Sequence, residues 1–372
     1  MTLSDLESRK GYYQVGHQRF LNKVPAILEA SRHGLFPQWV FMNELLDKYD
    51  WKTPPDVTLL QLYRDRCQQL RDQYSWLTLS YSGGADSDNI LRTFLDNNIR
   101  LDELLVLWPV QRSESLPTDA WDLAQSNWTS EWALTLKPRL RWLAQNHPHI
   151  KITVRDWAQE LPHYQVKDDF LITRASMLSP YGVMRWHDRA RLDRLAHKNG
   201  VLIYGTDKPR LCIRDGWYNI YFVDVAVQAN QPEIDAWSDH VELFYWSPDT
   251  LDLVCKQAHT VIDFFQAHAS LNPMLDWPIQ AQWHEDYRNI VKSLIYPGTY
   301  DHFQVRHFAY DTIVDATELA GYFREVNARA WHTLRPLIQD SFVGTWDGQT
   351  QLTGMINGMW PVRAVMSTRR FS

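Results

Sequence analysis

Trp76-Leu77-Thr78-Leu79-Ser80-Tyr81-Ser82-Gly83-Gly84-Ala85-Asp86-Ser87-Asp88 is the stretch on which the reading of this chain turns. A short apolar run, 76–81, passes through a glycine pair into a helix signal over 88–98. Strand, glycine turn and helix in that order begin a parallel sheet with crossovers. Working outward, 104–110 is the next strand candidate, and 118–146 is rich in helix signals with a break at Pro138. Residues 150–154 read as a third strand. Residues 185–198 read as a helix with Gly200 at its C-cap, and 201–204 as a fourth strand, closed by Gly205-Thr206-Asp207. The alternation predicts an α/β fold, a parallel sheet with helices on both faces.

Helical regions are expected on either side. Residues 1–73 read as helical, most clearly after Pro54-Pro55-Asp56, where Leu59, Leu60, Tyr63, Cys67 and Leu70 recur at helical spacing. Cys67 therefore reads as a core residue. Beyond Asp224, Ser247 caps a helix with Pro248 at its first position. Its apolar stripe is Leu251, Val254, Cys255, Ala258, Ile262 and Phe265, which leaves Asp252, Lys256, His259 and Asp263 on the other face. Further helices are expected over 283–295 and 315–338. The chain thus divides into an N-terminal helical region (1–73), an α/β region (74–224) and a mainly helical C-terminal region (225–372).

Composition limits the function classes. Hydrophobic residues make up 45% and charged residues 22% of the 372, so a large core forms without a disulfide or metal staple. Eighteen tryptophans against 15 glycines imply many rings in cores or cleft walls. Tyr245, Trp246 and Trp360 are candidates to stack a base, with core packing the stronger expectation. A net charge of −6 argues against a general grip on a phosphate backbone. The basic stretches 185–198 and 363–370 read as a solvated helix face and a tail. Cys67, Cys212 and Cys255 are far apart with no CxxC pair, which removes zinc ribbons, iron–sulfur clusters and redox dithiols and suits a reducing cytosol. Asp301, His302, His307 and Asp311 supply metal-ligand types without a zinc spacing. Residues 1–10 are polar, no secretory signal is visible, and no apolar run approaches the roughly 18 residues of a membrane span. A cytoplasmic protein without a membrane partner is expected.

The chemistry resides in residues 82–87. Two adjacent glycines let backbone approach a bulky anion and adopt left-handed torsions. Successive N–H groups form an anion nest, and the helix N-terminus adds partial positive charge. Ser82 and Ser87 can donate hydroxyl hydrogen bonds to phosphate oxygens. Asp86 would repel a phosphate unless a cation lies between them, which implies Mg²⁺. Asp88 reads as a helix N-terminal charge.

Ser82-Gly83-Gly84-Ala85-Asp86-Ser87 resembles the SGGxDS signature of the PP-loop ATP pyrophosphatases, the adenine nucleotide α-hydrolase-like superfamily. The resemblance covers about 74–224 and implies a HUP-like α/β domain that binds ATP and Mg²⁺ through residues 82–87. It implies cleavage between the α- and β-phosphates: a substrate oxygen takes AMP, pyrophosphate leaves, and a nucleophile such as an amine then displaces AMP. A Walker loop, GxxxxGK[ST], does not occur. Tyr204-Gly205-Thr206-Asp207-Lys208-Pro209-Arg210 is similar to the second nucleotide-facing loop of family members. The nucleotide would then contact Gly205, Thr206 and Asp207, while Lys208 and Arg210 neutralise the leaving phosphates. Arg174, Arg185 and Lys256 are further candidate phosphate contacts.

The layout is most similar to the PAPS reductase branch, but its ECGLH-like catalytic cysteine and paired cluster cysteines are missing. Leu178-Ser179-Pro180-Tyr181 stands near where the pair would fall. Cys212 and Cys255 are a poor match to tRNA thiolases. Thr2 replaces the nucleophilic cysteine of glutamine-dependent asparagine synthetases, and the zinc cysteines of 7-cyanoguanine synthases are absent. Uncharacterised PP-loop proteins of tailed phages are similar in length and in the GTDKPR-type loop. The expected function is an adenylylating ligase, or a nucleotide- or nucleic-acid-modifying enzyme, with a small-molecule or nucleic-acid acceptor. The alternatives are a nucleotide-binding protein without turnover and a sulfonucleotide enzyme lacking the usual cysteines.

Overall fold

Leu77, Thr78 and Leu79 are completely buried, as the central strand of a sheet covered on both faces must be. The computed structural model describes residues 11–115, 131–160, 189–224, 240–279, 284–296, 331–346, 349–352 and 354–366. The described residues begin with β1 (Tyr12–Val15), β2 (Gln18–Phe20), α1 (Lys23–His33), β3 (Gln38–Val40), α2 (Asn43–Lys48) and α3 (Leu59–Gln73). The central unit follows: β4 (Trp76–Ser80), α4 (Ala85–Asp96), β5 (Glu103–Trp108), α5 (Val110–Ser115), a π-helical segment Glu131–Leu136 and α6 (Lys137–Asn146). It continues through β6 (Lys151–Asp156), α7 (Trp157–Glu160), α8 (Arg189–His197) and β7 (Gly200–Tyr204). The remainder holds β8 (Arg210–Arg214), β9 (Trp217–Tyr221), β10 (Val241–Leu243), α9 (Leu251–Ala267), α10 (His284–Ile295), β11 (Val343–Trp346), β12 (Gln349–Leu352) and β13 (Trp360–Ala364).

Five of these strands form one all-parallel sheet in the order β10-β7-β4-β5-β6. The fold is α/β, as the alternation predicts, and all four strands expected within 74–224 are present. The fifth, β10, lies beyond 224 and pairs with β7 through Leu243 opposite Tyr204. Three residues are too few to show a period, so the sequence gives this strand no signal.

Two expectations need correction. The first 73 residues are not helical throughout: β2-β1-β3 form an antiparallel sheet ahead of α3. Tyr13 and Val15 point inward while their neighbours are only partly buried, and strands of three or four residues fall below what periodicity resolves. The C-terminal region likewise contributes β10 to the central sheet, the hairpin β11–β12, and β13, which joins β9 and β8 in a second antiparallel sheet. The β8–β9 hairpin turns at Asp215-Gly216, both at positive φ (51° and 77°), as a two-residue hairpin turn requires.

Local signals otherwise hold. Thr58 caps α3 by accepting from the Gln61 N–H, and Cys67 is fully buried on its inner stripe. Ser247 and Thr250 form a capping box over the single turn Pro248–Thr250 that leads into α9. Gly200, expected as a C-cap, is instead the first residue of β7, and Asn199 takes the left-handed position (φ 47°). A Cβ at Gly200 would meet the Trp76 carbonyl and the Leu195 side chain at about 3 Å, so the glycine serves close packing.

One hydrophobic core runs from Tyr13 to Val362 and draws on all three regions. Buried ion pairs cross the same boundaries. Lys23 of α1 meets Asp224 at 2.6 Å, and Arg66 of α3 meets Glu242 of β10 at 2.9 Å. Among the described residues no helix is long and apolar enough to cross a membrane.

Candidate functional site

The strand order reverses between β4 and β7. After β4 the chain adds β5 and β6 on one side, and after β7 it adds β10 on the other. In an open parallel sheet, ligands bind outside the carboxyl ends of the strands at this switch point. The segments that leave these two strands are 81–84 and 205–209, the two loops singled out from the sequence. The second packs closely on the helix turn that follows the first: a Cβ at Gly205 would lie 3.2 Å from the Asp86 carbonyl carbon and 3.3 Å from the Ser87 nitrogen. A side chain at this position would require the first turn of α4 to give by a few tenths of an ångström.

The first loop is built around its two serines. Gly83 adopts φ 75°, with Leu136 and Thr135 packed where a side chain would go. Gly84 is the N-cap of α4, and Asp86 and Asp88 lie in its first turn. Ser87 Oγ donates to the Gly84 carbonyl, accepts from the Ser82 N–H, and lies 3.3 Å from Ser82 Oγ. The Gly84 N–H reaches Ser82 Oγ at 3.4 Å. Both hydroxyls thus face the turn at the helix N-terminus, where partial positive charge gathers. Asp88 points away from the loop mouth: it is buried, accepts from Tyr81 OH at 2.9 Å and pairs with Arg139 of α6 at 3.2 Å.

The second loop brings charge to the first. Lys208 Nζ lies 3.1 Å from Asp86 Oδ2 and 3.2 Å from Asp207 Oδ1, with its side chain 8% exposed. Arg210 grips Asp207 Oδ2 through Nε at 3.0 Å and Nη2 at 2.6 Å. Burial pushes the Asp207 carboxyl up, but the charges of Arg210 and Lys208 outweigh it and hold the group well below the usual carboxylate range. Burial pulls the Arg210 guanidinium down, and Asp207 more than restores it.

Four tyrosines from distant segments support this network. Tyr296, just after α10, donates to Asp86 Oδ1 at 2.8 Å. Tyr245 donates to the Asp86 carbonyl at 2.9 Å and accepts from Asn89 at 3.0 Å. Tyr63 of α3 donates to the Ile295 carbonyl at 2.7 Å and so fixes the end of α10. Tyr287, within α10, donates to the Pro209 carbonyl and accepts from the Leu211 N–H, which pins the second loop. Burial raises all four phenols, so they remain protonated donors.

Of the residues chosen from the sequence, Ser82 to Ser87, Gly205, Asp207, Lys208 and Arg210 come together here, joined by the intervening Thr206. Lys256 is engaged elsewhere: its amine donates to the Pro55 carbonyl at 2.9 Å. His259, expected on a polar face, is buried between the Trp51 carbonyl and Arg363, which fixes its proton on Nε2. Tyr245, Trp246 and Trp360 are core residues. Arg174, Arg185, Asp301, His302, His307 and Asp311 lie outside the described residues. Arg139, Tyr287 and Tyr296 escaped the sequence reading, since nothing local distinguishes them from other surface cations or core rings.

The three thiols are buried. Burial pushes Cys212 up to about 12 and Cys255 to about 11, and raises Cys67 as well, so none is poised as a thiolate nucleophile. Among the described residues no group of three or more His, Cys, Asp or Glu side chains is arranged to hold a metal. No protein-family model matches this chain, and no curated protein matches it in sequence.

Proposed function

We propose that this chain is a PP-loop ATP pyrophosphatase that adenylylates an acceptor and then couples it to a nitrogen nucleophile. The observation that carries the reading is the close packing of the GTDKPR loop on the SGGADS segment at the switch point of a parallel sheet. Triphosphate would lie over the N-terminus of α4, with the loop N–H groups and the Ser82 and Ser87 hydroxyls as donors. The acceptor oxygen attacks the α-phosphorus, the bond to the β-phosphate oxygen breaks, and pyrophosphate leaves. Lys208 and Arg210 stabilise the charge that grows on that leaving group. The nitrogen nucleophile then displaces AMP.

The acids fit a magnesium ion that arrives with ATP. Mg²⁺ is commonly held by one or two carboxylates plus substrate phosphates, so no third protein acid is needed. Asp86 is the carboxylate that would hold it, with Asp207 beside it. The Lys208 ammonium already stands between the two as a cation. The ion would supply charge neutralisation at the phosphates.

A second reading, a nucleotide-binding protein without turnover, is favoured by one feature: both Asp86 oxygens are occupied, by Lys208 and Tyr296. Incubation with ATP, Mg²⁺ and sets of carboxylate, nucleobase and nucleic-acid acceptors decides between them. AMP and pyrophosphate as products support the enzyme, and tight ATP binding without pyrophosphate supports the binder. ADP and phosphate would remove the PP-loop assignment. Asp86→Asn is expected to keep the fold and abolish pyrophosphate release.

A further inference from the structure

We infer that Lys208 is an internal counter-ion that holds the cation position between Asp86 and Asp207 and admits a divalent metal only together with nucleotide phosphates. This rests on the reading of the loops as an ATP site. Its basis is the placement of one buried ammonium within 3.1 Å and 3.2 Å of two carboxylates that belong to different loops. Two carboxylates that face one ammonium repel each other less with that cation between them. Arg210 grips the other oxygen of Asp207, so among the described residues Lys208 is the cation that touches both acids.

The charge balance sets the order of events. Among the described residues, two acids and two bases meet here, and their charges cancel. A divalent ion alone would enter a buried, neutral site and leave two surplus charges there, a costly state. A metal that enters with a triphosphate brings its own anion. Lys208 then has a new partner, and its flexible stem lets the ammonium turn from Asp86 to the phosphates. The vacated oxygen of Asp86 would then be the one to hold the metal, with Tyr296 still on the other. The residue that neutralises the acids before binding is thereby the one that neutralises the leaving group after it.

Mn²⁺, used as a paramagnetic substitute for Mg²⁺, tests this on the full chain by titration followed by electron paramagnetic resonance. Without nucleotide, the native protein is expected to show no Mn²⁺ site tighter than millimolar. Lys208→Met is expected to bind Mn²⁺ alone at least about tenfold more tightly, and Lys208→Met with Asp86→Asn to lose that gain. Lys208→Arg, which keeps the charge, is expected to behave like the native chain. Equal Mn²⁺ affinity in Lys208→Met and the native chain overturns the inference. So does tight nucleotide-free binding by the native chain, an outcome that does not depend on any variant folding. Failure of the underlying reading shows separately, as native protein that does not retain labelled ATP in equilibrium dialysis with Mn²⁺.

Discussion

The hydroxyl of Tyr296 meets Asp86 Oδ1 at 2.8 Å across 210 residues of sequence, so the segment after α10 holds the acid of the glycine loop. The same helix carries Tyr287, whose hydroxyl pins the second loop at Pro209 and Leu211. One C-terminal helix therefore sets both loops. Tyr63 and Gln257 anchor it in turn, because Gln257 donates to Tyr63 OH, which donates to Ile295. A hydrogen bond to a charged group contributes about 1.5–3 kcal/mol. Tyr296→Phe keeps the ring and removes that bond. ATP-dependent pyrophosphate release should fall about ten- to a hundredfold with the thermal midpoint lowered by only a few degrees. Unchanged steady-state kinetics would remove Tyr296 from the site.

Gly205→Ala tests whether the loops must touch. The added Cβ would press on the Asp86 and Ser87 backbone and on Ile90 Cδ1, all at 3.2–3.3 Å. Backbone at a helix start cannot move aside as a side-chain tip does, so the loops would have to separate by a few tenths of an ångström. Overpacking of this kind costs about 1–3 kcal/mol. Urea unfolding should show that loss, together with weaker ATP retention in dialysis. A fully stable variant that binds ATP normally would mean the contact is incidental.

At the opposite end of the sheet, Glu103 opens β5 and meets Arg191 of α8 at 2.8 Å, Lys151 at 3.3 Å and Thr153 at 2.6 Å. Burial alone would raise its carboxyl, but the Thr153 and Arg191 hydrogen bonds and the nearby positive charges bring it down to about 2. The unfolded chain protonates this group near its ordinary value, so between that value and 2 the unfolded state binds more protons. Stability from Glu103 is therefore complete above about pH 4.5 and is lost as pH falls toward 2, on the order of 3 kcal/mol. Urea midpoints of the native chain and Glu103→Gln, compared between pH 6 and pH 3, should converge at the acid end. A constant gap between them would show that the carboxylate charge contributes nothing.

The legible parts of this molecule are those whose signals are local. β4, β5, β6 and β7 read as strands from runs of four to seven residues rich in apolar side chains, and the two loops stand out because glycines follow such runs. β2, β3 and β10 have three residues each, and what makes them strands is a partner far along the chain. Rules of local chemistry also misplace residues that packing controls. Asn199, rather than Gly200, takes the left-handed torsion, because Gly200 is needed where Trp76 and Leu195 leave no room. His259 follows the polar face of α9 by periodicity, yet Trp51 and Arg363 bury it. Tyr296 offers no local pattern at all, since its role exists only once α10 lies against Asp86.

The buried pair Lys23–Asp224 yields the last prediction. Lys23 Nζ lies 2.6 Å from Asp224 Oδ2, which also accepts from Tyr13 OH at 2.8 Å, and Oδ1 accepts from the Met355 N–H at 3.0 Å. None of the three side chains is meaningfully exposed. They join β1, α1 and the C-terminal segment at one point. Burial lowers the pKa of Lys23, and the Asp224 charge opposes that shift. Asp224→Asn removes the opposition and leaves an ammonium buried without a counter-charge, a loss of about 3–5 kcal/mol. The folded variant would then shed the Lys23 proton at a lower pH than the unfolded chain does, so its stability should rise with pH across the alkaline range. Adding Lys23→Met should recover most of the loss and abolish that rise, because no charge remains to be buried. If Asp224→Asn alone matched the native urea midpoint at pH 7, the ammonium would have to be neutral in the folded protein, and the pair would not be an ion pair at all.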